Sequence, residues 1–426
     1  MVKRGPQAMT RWKSGERVQD QASRERMAHL LAERVPHTSL PRPFYDDPDF
    51  FRLDMQAIFE SRWVFAGLAC EIGKPGAFFT FEIGETSVIV CRDREMAIRA
   101  FFNSCRHRGS IVLDQPCGRR TSFVCPYHHW SYDPTGRLLR APNLDPAADK
   151  GELGLRPVHV REIAGLIYVC LAEEAPDIAP FAAALGPAAA PHRLSEGKVV
   201  HTITLHEQGN WKLVMENARE CDHCQAGHPE LMNTLLIFDF ADPWSDPYIA
   251  EFWRRCEATG LPSVTKDGAD FRVGRMPFKA GNLSITMDGK PAVSRRLGDW
   301  PEQDIGSLRF THYPSMFGHI HADYAIIVQM LPKSAGETIV TCKWVVHTEA
   351  VEGRDYDLER LVEVWRATND QDRQLVERNQ RGVRSIGYRP GPYAEASEHG
   401  VWTFVEWYAR TMQGFAGAIS HPAAAE

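Results

Sequence analysis

The sequence contains no long apolar run, no excess of positive charge and no regular disulfide framework. Nowhere in its 426 residues is there an apolar stretch near the ~20 residues that a membrane-spanning helix needs. The polar N-terminus also lacks the apolar core of an export signal. The formal net charge of −6, without a basic stripe, argues against a nucleic-acid partner. We therefore expect a cytoplasmic protein that neither enters a membrane nor binds nucleic acid.

Cysteine is present ten times, but its spacing is not that of a disulfide scaffold. In a cytosolic chain such cysteines are expected to be metal ligands or buried thiols. Two short pairs stand out: Cys105-x-His107 and, after seventeen intervening residues, Cys125-x-x-His128. Two thiolates can bind one iron of a [2Fe–2S] cluster while two imidazoles bind the other, which defines a Rieske centre. The alternative is a Cys2His2 zinc site, but zinc fingers usually pair Cys with Cys and His with His.

The order of the predicted elements indicates an α+β protein. An Asp47-capped helix is expected to end at Phe59, and short β-rich segments follow from Gly76 to about residue 172. An Ala- and Pro-rich connector spans 175–193 and contains a short helical turn. Strands and then helices without βαβ alternation follow it, which favours an antiparallel sheet. We predict an N-terminal arm and helix that pack on the catalytic domain (1–61), a [2Fe–2S] domain (62–180) and that catalytic domain (181–426).

A second constellation lies between residues 210 and 231, where a helix is predicted from Trp211 to Gln225. It contains Cys221, His223, Cys224 and His228. Three interpretations remain open: a second zinc site, a helix with satisfied polar groups, or two ligands of a 2-His-1-carboxylate site for non-haem Fe(II). The glycine and proline on either side of His228 suggest a helix break that lets it approach His223.

A carboxylate for such a site is suggested by helical periodicity. A long helix is predicted from about Tyr356 to Val383, and Asp372 falls within its apolar stripe, seven residues after Trp365. A carboxylate in a core-facing stripe is costly unless it is paired or bound to a metal. Asp370, by contrast, falls on the opposite face.

These residues together resemble the catalytic α subunits of Rieske non-haem iron oxygenases, from about residue 40 to the end. Within that superfamily the chain looks most like enzymes that demethylate quaternary ammonium compounds, such as glycine betaine monooxygenase and stachydrine demethylase. The finer likeness is carried by these strings: PFYDDPDFFRLDMQAIFESRW, NWKLVMEN, ECxHC, HPEL, SITMDGK, VHTEAVEGRDYD, TNDQDRQLVERNQRG and YRPGPYAEASEHGV.

The resemblance implies an antiparallel β Rieske domain beside a helix-grip (START/Bet v1-like) catalytic domain with a curved antiparallel sheet. It also implies a head-to-tail homotrimer, in which the cluster of one subunit serves the iron of its neighbour. By position, Glu220 would be the carboxylate that bridges His128 of one chain and an iron-ligand histidine of the next. A flavin and iron–sulfur reductase would deliver electrons from NAD(P)H.

The activity we expect is oxidative N-demethylation of a betaine-type substrate with O2 and release of formaldehyde. An aromatic cage suits a trimethylammonium group, and its predicted members are Phe310, Tyr313, Phe317 and Tyr324. The alternatives are hydroxylation of an aromatic or other apolar substrate and, from another class, an electron-transfer Rieske protein. Two departures from the relatives concern Asp222, where tyrosine is common, and His129, where glutamine is common. The segment Phe310–Tyr324 also differs from what a glycine betaine enzyme should have.

Overall fold

The computed structural model describes residues 14–145, 148–237, 245–300 and 304–417. Its N-terminal part consists of helices α1 (Ser14–Ala32), α2 (Pro43–Asp46) and α3 (Pro48–Asp54), and α3 continues as a π-helical turn over Met55–Phe59. The predicted cap is confirmed, because the Asp47 side chain accepts a hydrogen bond from the backbone of Asp49.

The segment after residue 62 is a set of three small antiparallel sheets. Its strands are β1 (Val64–Leu68), β2 (Ala77–Ile83), β3 (Thr86–Arg92), β4 (Ile98–Phe102), β5 (Cys117–Arg119), β6 (Phe123–Val124), β7 (Ser131–Tyr132), β8 (Leu138–Arg140), β9 (His159–Ile163) and β10 (Leu166–Cys170). The sheet orders are β4-β3-β2-β5, β1-β10-β9 and β6-β7-β8. The β-rich module expected from the alternating segments is therefore present.

The connector between the two domains is more ordered than predicted. It forms helix α4 (Ala179–Ala189), which buries Phe181 and Leu185. These side chains share a core with Phe271 and Leu308 of the following sheet. Alanine is the best helix former, so this Ala-rich stretch forms a helix although it contains Pro180 in its first turn and Pro187 further along.

The C-terminal part is built on one seven-stranded antiparallel sheet. Its order is β11-β17-β16-β15-β14-β13-β12. The strands are β11 (Gly197–Glu207), β12 (Lys266–Asp267), β13 (Phe271–Met276), β14 (Ser307–His312), β15 (Met316–Ile320), β16 (Ala325–Ser334) and β17 (Glu337–His347), and the helices are α5 (Trp211–Asn217), α6 (Cys224–Gly227), α7 (Pro247–Ala258), α8 (Leu358–Val383) and α9 (His399–Gly417). The α+β class and the long helix α8 are confirmed.

The N-terminal helices and the C-terminal part of the chain meet at a buried carboxylate at the end of α3. Asp54 is fully buried and accepts hydrogen bonds from Trp211 Nε1 (3.0 Å) and Tyr408 Oη (2.7 Å). It also forms an ion pair with the fully buried ammonium of Lys212. Because every group has a partner, this buried pair avoids the large penalty of an isolated charge. It fixes α3, α5 and α9 in one arrangement.

In the part of the chain that the structure describes, no helix has the length and apolar character needed to cross a bilayer.

Candidate metal centres and substrate cavity

The two Cys/His loops of the N-terminal sheet domain have the same backbone hydrogen bonds. Gly109 N donates to Cys105 O (2.9 Å), and His129 N donates to Cys125 O (3.0 Å). Each loop is closed by a bond from the cysteine N–H to the carbonyl five residues later, that of Ser110 or Trp130. The repeated pattern gives each loop the same tight turn.

The repeat also gives His129 a structural position. Gly109 and His129 occupy equivalent places in the two turns, and both have left-handed backbones with φ of 77° and 57°. Glycine adopts this conformation without cost, and histidine is among the few other residues that do so with some frequency. His129 therefore closes its turn with an exposed side chain, and its ring is not one of the converging ligands.

The four predicted cluster residues converge at the tips of these loops. The Nδ1 atoms of His107 and His128 lie 3.2 Å apart. The buried thiols of Cys105 and Cys125 lie within hydrogen-bonding reach of each other. Tyr132 Oη lies 3.2 Å from Cys105 Sγ, as expected of a hydrogen bond to a cluster sulfur. The donor set and the mixed pairing fit a [2Fe–2S] cluster with its thiolates inside and its imidazoles outside.

The second site forms where the chain leaves α5. The predicted helix Trp211–Gln225 is wrong in its second half, because α5 ends at Asn217 and a turn precedes α6. This break brings His223 Nε2 within 3.1 Å of His228 Nε2. Asp372 Oδ1 on α8 lies 2.9 Å from His228 Nε2 and 3.3 Å from His223 Nε2. Two imidazoles and one carboxylate thus meet at one point, which is the donor set of a facial triad.

Each of these histidines has its own partner on the other ring nitrogen. Glu220 Oε1 accepts a hydrogen bond from His223 Nδ1. Gln371 Oε1 lies 2.8 Å from His228 Nδ1, and Gln371 Nε2 donates to Glu230 (3.0 Å). Such partners place the proton on Nδ1 and leave Nε2 free to bind a metal. Sequence reasoning missed Gln371, although its position next to Asp372 was a usable signal.

The electrostatics of the second site favour a bound cation. Burial alone would lower the pKa of His223, but hydrogen bonds with Asp372 and Glu220 outweigh it and raise the pKa to about 9. Burial would raise the pKa of Asp372, yet the two imidazoles lower it. The carboxylate is therefore held as an anion that stabilises positive charge between the rings.

The zinc alternative for this segment does not fit the structure. Cys221 and Cys224 are joined in a disulfide, so neither sulfur is available as a thiolate ligand. A metal needs the deprotonated thiol. Asp222 lies between these residues, and its carboxylate accepts a hydrogen bond from Ser397 (3.2 Å).

A cavity of about 270 Å³ adjoins this second site. It is contacted by His223, His228 and Asp372, and by five aromatic side chains: Phe271, Phe310, Tyr313, Phe317 and Trp365. Three of the four predicted cage residues are thus in its wall. Tyr324 is not in the wall: it is fully buried, donates to Ile285 O (2.8 Å) and accepts from Trp365 Nε1 (3.0 Å). Its polar tip is used in core packing, which corrects the prediction for this residue.

Comparison with known proteins identifies the family. The chain matches the ring hydroxylating alpha subunit (catalytic domain) over residues 194–414 and the Rieske [2Fe-2S] domain over 62–160. It is 44% identical over 398 residues to the glycine betaine monooxygenase oxygenase subunit of Chromohalobacter salexigens, covering 92% of this chain and 89% of that protein. The corresponding subunit of Pseudomonas aeruginosa strain UCBPP-PA14 is 43% identical over 397 residues, covering 92% of each.

Solved structures show the same fold. The quaternary ammonium Rieske monooxygenase CntA in complex with L-carnitine has a TM-score of 0.69 at 21% identity, covering 90% of this chain and 98% of that one. Naphthalene 1,2-dioxygenase from a Rhodococcus species has a TM-score of 0.65 at 20% identity, covering 92% and 98%.

The protein is therefore a two-domain oxidoreductase with a Rieske domain and a non-haem iron catalytic domain. The chain belongs to the ring-hydroxylating α-subunit family of Rieske oxygenases. Its cofactors are a Rieske [2Fe–2S] cluster and a mononuclear iron, which agree with the two donor sets above. The alternative of a simple electron carrier is wrong, since the catalytic domain of the family is present.

Proposed function

We propose that this protein is the oxygenase component of a system that oxidatively N-demethylates a betaine-type quaternary ammonium compound. The observation that carries the proposal is the joint lining of one cavity by the triad residues and by five aromatic rings. A trimethylammonium group offers no hydrogen-bond donor, so aromatic faces are the physical means of binding it. The glycine betaine monooxygenase subunits that resemble this chain support the same substrate class.

In this proposal the metal ligands are the residues predicted from the sequence. Cys105, His107, Cys125 and His128 hold the cluster, and His223, His228 and Asp372 hold the iron. The bound metals supply single electrons and the activation of O2. Glu220 and Gln371 keep the two imidazoles in the tautomer that ligation requires.

The cavity also has to orient the substrate relative to the triad. Phe310, Tyr313 and Phe317 are the candidate residues for packing against the ammonium head so that one N-methyl carbon faces the triad. Oxidation consumes O2, two electrons and two protons, and gives water and an N–CH2OH group. That group then breaks its C–N bond, which releases formaldehyde, a proton and the demethylated amine.

The proposal includes a head-to-tail homotrimer that works with a separate flavin and iron–sulfur reductase. His107 is exposed and His128 half-buried at the loop tips, so these rings face outward. Glu220 already accepts a hydrogen bond from His223. A second copy that placed His128 against Glu220 would complete a hydrogen-bonded route from cluster to iron. One solved structure of a quaternary ammonium Rieske monooxygenase gave insights into inter-subunit electron transfer in that protein.

The test is a coupled assay. The purified protein, a flavin and iron–sulfur reductase and NADH are supplied with a panel of methylated amines and, separately, aromatic acids. We expect one formaldehyde for each NADH consumed with a betaine. Turnover of an aromatic acid without turnover of any methylated amine would replace the proposal with the aromatic-substrate alternative.

A further inference from the structure

One cationic side chain in the cavity wall lacks a hydrogen-bond partner among the described residues. Arg219 follows α5 directly and is only 6% exposed. Its side chain lines the same cavity as the triad residues. None of its three guanidinium nitrogens is hydrogen-bonded within the described part of the chain.

Such an arrangement is costly in a folded protein. Burial lowers the pKa of Arg219 to about 10, so the group is still charged at neutral pH. Among the described residues its neighbours include the ring of Phe317, whose centroid lies 5.7 Å away, and the phenol of Tyr313. A buried charge without a counter-charge or hydrogen bonds is strongly unfavourable. An acceptor bound beside Arg219 would recover this free energy.

A second buried arginine shows what a purely structural role looks like. Arg275 is also fully buried, but its guanidinium donates to Ile305 O (3.1 Å) and Ala188 O (3.3 Å). Arg275 is not part of the cavity wall. The contrast lies in the acceptors: Arg275 donates to backbone carbonyls of the protein, whereas Arg219 lines the cavity and has no acceptor among the described residues.

The position of Arg219 relative to the iron site fits a small ligand. It precedes Glu220 by one residue and His223 by four. An extended chain spans at most about 3.5 Å per residue, so the Cα atoms of Arg219 and His223 are no more than about 14 Å apart. Arg219 and the three triad residues also line one cavity of about 270 Å³, so a small ligand with a short spacer between its charges can contact both.

We propose that Arg219 binds the carboxylate of the substrate and thereby selects zwitterionic betaines over cationic methylated amines. This inference rests on the proposed function, since it assigns the second end of the same ligand. A guanidinium offers a fork of N–H donors that matches a carboxylate in a bidentate pair. The guanidinium also repels the ammonium end, which turns the N-methyl groups toward His223, His228 and Asp372.

The experiment compares two ligands that share a trimethylammonium head. Glycine betaine has a carboxylate, and choline has a hydroxyl in its place. Binding to the metal-loaded protein is measured by calorimetry, and formaldehyde release is measured with the reductase. The variants are Arg219→Met, Arg219→Lys and the control Arg255→Gln, which removes a surface positive charge paired with Asp304.

We expect the wild type and Arg255→Gln to prefer glycine betaine over choline. Arg219→Met should weaken glycine betaine binding by at least about 30-fold, the loss typical when one member of a buried charge pair is removed. Choline binding should not weaken, and Arg219→Lys should keep part of the preference. Without ligand, Arg219→Met should melt at or above the wild-type temperature because it removes an uncompensated buried charge.

The outcomes separate the two proposals. Formaldehyde release from both ligands, with the same preference in wild type and Arg219→Met, would overturn the carboxylate assignment and leave N-demethylation standing. Glycine betaine binding that depends on Arg219 but yields no formaldehyde would reject N-demethylation and keep the carboxylate site. Equal binding of both ligands to the wild type would also overturn the assignment.

Discussion

The two histidine pairs of this chain are built in different ways. His107 and His128 sit on two loops that repeat the same turn, at the surface, with their partner cysteines buried beneath them. His223 and His228 flank the short helix α6, and His228 is almost completely buried. The Nδ1 atom of each ring is hydrogen-bonded to another side chain. One site depends on local backbone geometry, and the other depends on contacts between distant segments.

This difference matches the two tasks. A centre that passes electrons to another molecule benefits from ligands at the surface. A centre that handles O2 and substrate benefits from a closed cavity, where charges interact strongly and water is excluded. The predictions below test whether the two sites are as independent as their construction indicates.

The largest effect is expected from Asp372→Ala. It removes the carboxylate that faces both Nε2 atoms, so the mononuclear iron should be lost. Turnover should fall by more than about 100-fold, because the loss of a metal ligand should exceed the 10- to 100-fold loss typical of a hydrogen-bond partner of a ligand. The visible absorption of the cluster should remain. Asp370→Ala is the matched control, because Asp370 lies exposed on the same helix and pairs with Arg373. Equal iron loss in both variants would refute the assignment.

The reverse change is Cys105→Ser. We expect loss of the cluster absorption and of NADH-driven turnover, with the mononuclear iron still bound. Cys117→Ser replaces an exposed free cysteine of the same domain and should leave both metals in place. Loss of mononuclear iron in Cys105→Ser would show that the two sites are coupled.

A smaller effect is expected from Glu220→Gln, which neutralises the acceptor for His223 Nδ1. Both metals should bind when iron is in excess, but turnover should fall about 10- to 100-fold. Stopped-flow reoxidation of the reduced cluster, after substrate and O2 are added, measures the electron-transfer step directly. Asp222→Asn is the control for a neighbouring carboxylate. Unchanged reoxidation in Glu220→Gln would remove Glu220 from the electron route.

The smallest effect concerns pH and stability near the buried site. Glu207 is 3% exposed, and burial, with Asp372 and Glu377 nearby, raises its pKa to about 8. In the unfolded chain the pKa of Glu207 has its ordinary value of about 4.3. Between about pH 4.3 and pH 8 the folded state therefore keeps a proton on Glu207 that the unfolded state has lost, and the free energy of unfolding falls as the pH rises through this range. Glu207→Gln should flatten this loss of stability, which is on the order of 5 kcal/mol across the full window.

The melting temperature, measured from pH 5 to 8.5, checks this expectation. The advantage of Glu207→Gln over the wild type should grow by a few °C as the pH rises. Glu363→Gln, on the exposed face of α8, should follow the wild type at every pH. A constant difference across the range would show that Glu207 is already ionised in the folded protein.

The sequence was most informative where a site is local or periodic. The cluster loops could be recognised because all their ligands lie within two short strings. Asp372 could be proposed because the apolar stripe of α8 repeats with the helical period and the helix runs unbroken from Leu358 to Val383. The limits of the N-terminal arm and of the two domains stay a prediction.

What could not be predicted depends on contacts between distant segments. The end of α5 at Asn217 and the pairing of Cys221 with Cys224 have no periodic signal. Tyr324 follows the strand segment of the other cage candidates, but its hydroxyl is bonded to Trp365 on α8, far along the chain. Arg219 could not be predicted as a site residue, because the sequence does not show that this arginine is buried.

The buried Asp54 has a practical consequence for dividing this enzyme. A boundary at residue 62 looks natural, since the Rieske domain match begins there. Cutting the chain at that point would remove Asp54 and leave the buried Lys212 ammonium without its counter-charge. Lys212 is the second residue of α5, the helix that leads to Arg219, Glu220 and His223. Separate expression of the catalytic half should therefore include helices α1–α3, either in the same chain or as a co-expressed segment.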